Sequence, residues 1–211
     1  YLGETEKALE YGRMAHAYWT RIGDEYEIAL STYLMATVCT RNNKLDEALT
    51  WLERSDKLFN ELNRPEYRGY VAYETMMIHT MKREFEPAHE WVLVALQEVK
   101  RIESDYARST FEHAAGILKA RIGELDAGRA LLESSIRYWR GNKDAHNVGH
   151  TLHSMAYVEG LAGNKDVAFK HLDEAQELLS SLQENARRTQ ILNAVNELRE
   201  AIANNADLTA L

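Results

Sequence analysis

The chain has one cysteine, two prolines and eleven glycines in 211 residues, and each scarcity removes a class of architecture. A single thiol, Cys39, closes no internal disulfide, which fits a reducing compartment. Two prolines leave little to interrupt long helices. The formal charge is −8, with no lysine/arginine run; the clustered basic face that binds phosphate is missing, so nucleic acid is not an expected partner. No apolar stretch approaches the roughly 20 residues that would span a bilayer. Glycine-rich phosphate loops, GxSxG, HExxH and paired cysteines are absent too, so no catalytic activity, cofactor or metal is expected. What is present is a 45% hydrophobic chain with four tryptophans and eleven tyrosines, enough to build a core. The expectation is a soluble, cytoplasmic protein without a signal peptide.

The organising feature is an internal repeat. LDEALTWLERS from Leu45 has relatives at TEKALEYGRMA, FEPAHEWVLVA, LDAGRALLESS and KDVAFKHLDEA. A small residue falls at Ala8, Ala48, Ala88, Gly128 and Ala168, each 40 residues after the last. Leu52, Val92, Leu132 and Leu172 form an apolar column in the same register, and Ala15, Ser55, Ala95, Ser135 and Ala175 a second small one. Small residues at fixed places let two helices approach closely while larger neighbours fill the groove. An ordinary helical bundle is the competing architecture, but it does not produce an unbroken step of 40.

The neighbouring helix precedes each of these stretches. Runs from Glu25, Pro65, Ser104 and Ala145 each carry about 17 residues of helical pattern and end in the turns RNNK, KREF, RIGEL and AGNK. Gly123 and Gly163 suit the left-handed residue that closes a helix, and Asp46, Asp126 and Asp166 suit the start of the next. Pro65 and Pro87 fall where a first-turn proline is tolerated. The unit is helix A, turn, helix B.

A helix pair with a small residue in the middle of helix A (Ala36, Gly116, Ala156), glycine at the turn, alanine early in helix B and a second small residue seven later resembles the tetratricopeptide repeat (TPR). The period is similar to that of the long-helix variety in kinesin light chain-like proteins, spindle-orienting scaffolds and bacterial MalT-like regulators. The resemblance implies an all-α, right-handed α-solenoid of antiparallel helix pairs across 1–211. Helix B of a truncated repeat occupies 2–22; full repeats follow at 25–63, 65–103, 104–142 and 145–183; a closing helix spans 184–204 and a frayed tail 205–211. Because the pattern opens in mid-repeat, the natural protein is expected to continue upstream.

The resemblance further implies that helices A build the ligand-facing wall. Its columns are Leu30, Tyr70, Thr110 and His150; Tyr33, Tyr73, His113 and His153; Thr37, Met77, Ile117 and Tyr157; and Arg41, Met81, Arg121 and Leu161. Rings with polar tips supply contact area at low entropy cost, and Arg41 and Arg121 suit a carboxylate. The candidate ligand-binding set is Tyr33, Tyr70, Tyr73, Met77, Arg41, His113, Arg121, His150, His153 and Tyr157. The lysine and asparagine clamp of chaperone-binding relatives is absent, since Leu30, Tyr33, Leu34, Tyr73, Glu74 and Met77 stand there; the asparagine ladder of kinesin light chains is replaced by Leu34, Glu74, Ala114 and Ser154. His146, His150 and His153 share one helix face with His113 a repeat away, the spacing of a soft metal trap, but no carboxylate completes a site. Cys39 reads as a core thiol. The expected role is a protein- or peptide-binding scaffold or sensor region of a larger bacterial regulator. The alternatives are small-molecule or metal sensing in the same groove, or a structural module that self-associates, a homodimer through the solenoid ends included.

Overall fold

A computed structural model describes residues 2–101 and 103–210, with side chains from residue 6 onward. Every element among the described residues is helical. The helices are α1 Leu2–Ile22, α2 Glu25–Arg41, α3 Leu45–Glu61, α4 Pro65–Met81, α5 Phe85–Val99, α6 Asp105–Arg121, α7 Leu125–Gly141, α8 Ala145–Leu161, α9 Lys165–Ser180 and α10 Ala186–Ala203, followed by a short 3₁₀ turn at Leu208–Ala210. They divide into two compact units, Tyr1–Glu103 and Ser104–Leu211. In the first, α2 pairs with α3 and α4 with α5, and α1 lies on α2; in the second, α6 pairs with α7 and α8 with α9, and α10 packs on both α8 and α9. Within a unit the first helices of successive pairs also touch directly, α2 with α4, and α6 and α10 with α8. The fold is an all-α solenoid of helix pairs.

Local chemistry explains why so many helices have the same length. Asn43, Asn63, Arg83, Gly123, Lys143 and Gly163 all adopt positive φ, between 49° and 87°. At each of these turns the left-handed residue donates its N–H to the carbonyl three residues back, and the next residue donates to the carbonyl five back, as Asn43 does to Thr40 and Lys44 to Cys39. This Schellman arrangement satisfies the last carbonyls of the helix. The turns are 20 residues apart, half the sequence period, except for the step of 40 from Arg83 to Gly123. Only two of these six positions are glycine, so the motif is half hidden in the sequence: asparagine tolerates the left-handed region, and Arg83 and Lys143 occupy it at a cost of about 1 kcal/mol each.

Helix starts differ from expectation. Asp46, Asp126 and Asp166 stand inside the first turn of α3, α7 and α9, whose N-caps are Lys44, Glu124 and Asn164 and carry no side-chain bond. The aspartates therefore act on the helix dipole rather than as caps. Side-chain caps sit instead at the starts of α2, α6, α8 and α10, from Asp24, Ser104, Asp144 and Asn185. Pro65 occupies the first turn of α4.

The repeated small columns do what their spacing implies. Ala48, Ala88 and Ala168 are wholly buried. A Cβ on Gly128 would come within 2.7 Å of the Gly116 carbonyl, and one on Gly116 within 3.0 Å of the Gly128 carbonyl; α6 and α7 touch through their backbones. The second column hydrogen-bonds as well as packs: Ser55 donates to the Ala29 carbonyl at 3.4 Å, and Ser135 to the Ser109 carbonyl at 2.8 Å, each from helix B to the paired helix A. The stretch after α10 packs back on the second unit. Ala206 donates to the Ala201 carbonyl, and Leu208 is 7% exposed, seated against Gly160. A single apolar side chain finding a glycine-made notch holds residues 205–210 in place; residue 211 lies outside the described residues.

Candidate functional site

In the second unit, α6, α8 and α10 present one face each to a cavity of about 270 Å³. Ile117 and Arg121 come from α6, His150, His153 and Tyr157 from α8, and Glu197 from α10. An adjoining recess of about 230 Å³ between α8 and α10 shares His150 and His153 and adds Arg187 and Gln190. The two recesses adjoin along α8 and α10, with His150, His153 and Ala194 common to both linings, and together form a trough. Arg121, the last residue of α6, lays its guanidinium over the Tyr157 ring, 5.5 Å from the centroid. Its Nε is buried with no hydrogen-bond acceptor, and no carboxylate among the described residues pairs with it. A desolvated donor on a cation costs more than an ordinary unmade hydrogen bond.

Three imidazoles gather on this wall. Ser154 donates to the His150 carbonyl at 3.2 Å, so its oxygen is free to accept from His113 Nε2 at 2.8 Å; this assigns the Nε2–H tautomer to His113. The His113 and His150 rings meet edge to face at 4.6 Å. Burial, reinforced by His150 and His153, holds His113 down to about 3. Burial, with His150, takes His153 down to about 4, against a backbone hydrogen bond at Ala194 that works the other way. His150 is lowered by the protein packed round it and then by Arg187, although water reaches its outer edge; both hold for a side chain on a trough wall. The cluster is neutral at physiological pH, which leaves Arg121 and Arg187 as the cations of the trough and Glu197 as its acid.

The first unit fills the corresponding positions with different chemistry. Tyr33, Tyr70, Tyr73 and Met77 are half-buried, and Arg41 is exposed. Burial, then Glu74, pushes the Tyr33 phenol upward, with smaller contributions from Tyr70 and Tyr73. Burial likewise raises the Glu74 carboxyl, partly opposed by Arg41. Here the wall is phenolic with one reluctant carboxylate.

Five of the ten residues singled out in the sequence, His113, Arg121, His150, His153 and Tyr157, come together in the second unit. Tyr157 is also a core residue, 6% exposed, so it forms the floor of the cavity rather than a projecting anchor. Sequence reasoning missed Ser154, Ala194 and Glu197. The signal was present for the last two: Ala194 and Glu197 stand 40 residues after Ser154 and Tyr157, so α10 continues the columns of helix A besides closing the core. Cys39 is fully buried, and burial, then Glu47, pushes its thiol up to about 11, against a nucleophilic role. Among the described residues no three histidine, cysteine or acidic side chains are placed to hold a metal ion, and no helix is long and apolar enough to cross a membrane.

No protein-family model matches the chain, and no curated protein matches it. Solved structures do. BtubC (BKLC) from P. vanneervenii superposes with a TM-score of 0.76 at 20% identity, covering 87% of this chain and 78% of its own. A kinesin light chain-like protein of nearly identical TPR-like repeats from Podosopora anserina gives 0.69 at 17%, covering 87% and 90%. RapI in its apo form gives 0.77 at 18%, covering 96% of this chain and 58% of RapI. At these identities the likeness establishes a TPR-like fold and leaves activity to the site itself.

Proposed function

We propose that this chain, built on a TPR-like fold, is a protein-interaction region whose second unit binds an extended segment of a partner in the trough along α8 and α10. The observation that carries the reading is the pair of adjoining recesses sharing His150 and His153. A trough that continues past one recess suits a chain better than a compact metabolite, and about 270 Å³ falls just short of the roughly 300–1,000 Å³ of small-molecule sites. His113, His150, His153 and Tyr157 supply rings, and Arg121 a charge without an acceptor. Tyr33, Tyr70, Tyr73, Met77 and Arg41 form a separate set of anchors in the first unit. A sensor or scaffold region of a larger bacterial regulator, working in the cytoplasm without catalysis of its own, accords with this site.

The test is capture from lysate with the intact chain and with Arg121→Gln, matched for helicity and melting temperature. A protein retained by the first and lost from the second supports the trough; identical retention by both removes it.

Self-association is the second reading, favoured by one observation. Tyr11, Met14, Tyr18 and Ile22 on α1 are all at least half exposed, and Ala8 and Ala15 lie open where their equivalents Ala48 and Ser55 are covered. Exposed apolar surface of this kind marks contact sites. Light scattering across a concentration series, with Tyr11→Lys/Met14→Lys as the control, decides it.

A further inference from the structure

We infer that the cavity between α6, α8 and α10 is an acid-recognising pocket: it takes a carboxylate on a short apolar stem onto the Arg121 guanidinium, and each binding event draws a proton from solvent onto the histidine cluster. The inference rests on the reading of this trough as a partner-binding surface and names the chemistry of what enters it.

The guanidinium carries the first half. Its seat over the Tyr157 ring, 5.5 Å from the centroid, restrains the side chain, so less entropy is lost when an acceptor arrives. Arg121 lines the cavity and has no carboxylate partner among the described residues, and a guanidinium in that state is a group that a carboxylate satisfies. A neutral amide offers one acceptor and no charge. A phosphoryl dianion is poorly matched, because one guanidinium faces it and Glu197 stands on the wall. Ile117, Leu198 and the Tyr157 ring, which also line the cavity, receive the methylenes of the stem.

The imidazoles carry the second half. Around His153, α6 presents His113 and Arg121, α8 His150 and Tyr157, and α10 Arg187 and Glu197. In the empty pocket, burial and the neighbouring rings keep the cluster neutral. An added carboxylate in the same low-dielectric space lowers the cost of charging an imidazole, so the folded-state pKa rises and a proton is taken up. Affinity therefore increases as pH falls from about 7.5 towards 5.5, above the range where the ligand's own carboxyl, at about 4.3, begins to protonate.

Calorimetric titration tests both halves, using acetyl-Leu-Glu-amide, acetyl-Leu-Gln-amide and glutarate at pH 6 in two buffers of different ionisation enthalpy. The expected result is binding of the Glu peptide at least about tenfold tighter than the Gln peptide, with fractional proton uptake read from the buffer dependence. Arg121→Gln should abolish the preference, Arg121→Lys should weaken it, and His153→Asn should retain it while losing most of the uptake. Equal binding of both peptides, no binding at millimolar concentration, or a preference unchanged in a folded Arg121→Gln protein overturns the acid pocket; heats independent of buffer overturn the proton coupling. Glutarate binding tighter than the Glu peptide keeps the pocket but assigns it to a free dicarboxylate, which counts against the partner-binding reading alone.

Discussion

The two units solve the same packing problem with different chemistry, and the difference is confined to a few columns. In the first unit the A-helix wall carries Tyr33 and Tyr73 with Glu74; in the second the same columns carry His113 and His153 with Ser154. The locks between helices differ as well. The first unit buries a carboxylate: Glu98, 2% exposed, accepts from Arg68 at 2.7 Å and Arg101 at 2.9 Å, while Arg68 also reaches Asp56 at 2.9 Å. Forty residues on, Tyr138 stands where Glu98 was, beside a Trp139 indole that donates to Ser135, which donates to the Ser109 carbonyl; the second unit places its buried carboxylate elsewhere, at Glu159, 6% exposed, which accepts from Arg129 at 2.6 Å. A repeat scaffold thus fixes backbone and spacing and leaves individual columns free for function, because each helix pair needs only its neighbours for support.

The sharpest way to break this comparison is Glu98→Ala. It strands the partly buried Arg68 beside its remaining partner Asp56, and a loss of about 2–3 kcal/mol is expected by urea unfolding, below the roughly 3–5 of a wholly buried pair. Tyr138→Phe, at the equivalent place in the second unit, should cost under about 0.5 kcal/mol, as surface-facing changes do. A similar loss in both would mean that the ionic lock contributes nothing special.

Next in size is helix spacing. Gly128→Ala forces a Cβ to within 2.7 Å of the Gly116 carbonyl and should destabilise by about 1–3 kcal/mol, although alanine is the better helix former by about 1 kcal/mol. The reverse exchange, Ala48→Gly, should cost only about 1 kcal/mol. Equal costs would show that the α6–α7 contact is no closer than α2–α3.

The pH response of the histidines follows. His113 and His153 have folded-state pKa values held to about 3 and about 4, below the unfolded value, so the unfolded chain binds more protons and stability falls as pH drops from about 6.5 towards 4. At most about 1.4 kcal/mol per pH unit per group is at stake, and half exposure reduces it. His113→Gln should flatten the decline between pH 6 and 4.5, and the two rings should show no NMR titration above pH 5. A midpoint near 6.5 for either would remove it from the buried cluster.

The smallest effect belongs to the first unit. Burial raises the Glu74 carboxyl, so its ionised form is disfavoured in the folded state and the penalty is present above the ordinary carboxylate range. Glu74→Gln should stabilise by roughly 0.5 kcal/mol at pH 7 and by nothing near pH 4. Destabilisation at pH 7 would mean that the carboxylate is paired in solution.

Much of this was legible in the residues themselves. The step of 40 at Ala8, Ala48, Ala88, Gly128 and Ala168 located the helix pairs, because close approach of two helices is a local steric demand that each repeat must meet with its own small side chain. The left-handed turns were legible at Gly123 and Gly163 but not at Arg83 or Lys143, where a long polar side chain conceals a strained backbone that the Schellman bonds support. The seat of Leu208 was not legible, because the residue is ordinary in sequence and only the notch at Gly160 receives it.

What the sequence by itself determined is periodic: helix, turn, helix, the small contacts between them, and the columns from which a binding wall is drawn. These depend on neighbours at fixed separation, and a pattern records that. Tertiary structure alone decided that Arg121 would lie on Tyr157 with a buried Nε lacking an acceptor, that Ser154 would fix the His113 tautomer, and that α10 would supply Glu197 to the same cavity. Burial, charge compensation and hydrogen-bond direction at that site are set by three helices at once, and no single stretch of sequence contains all three.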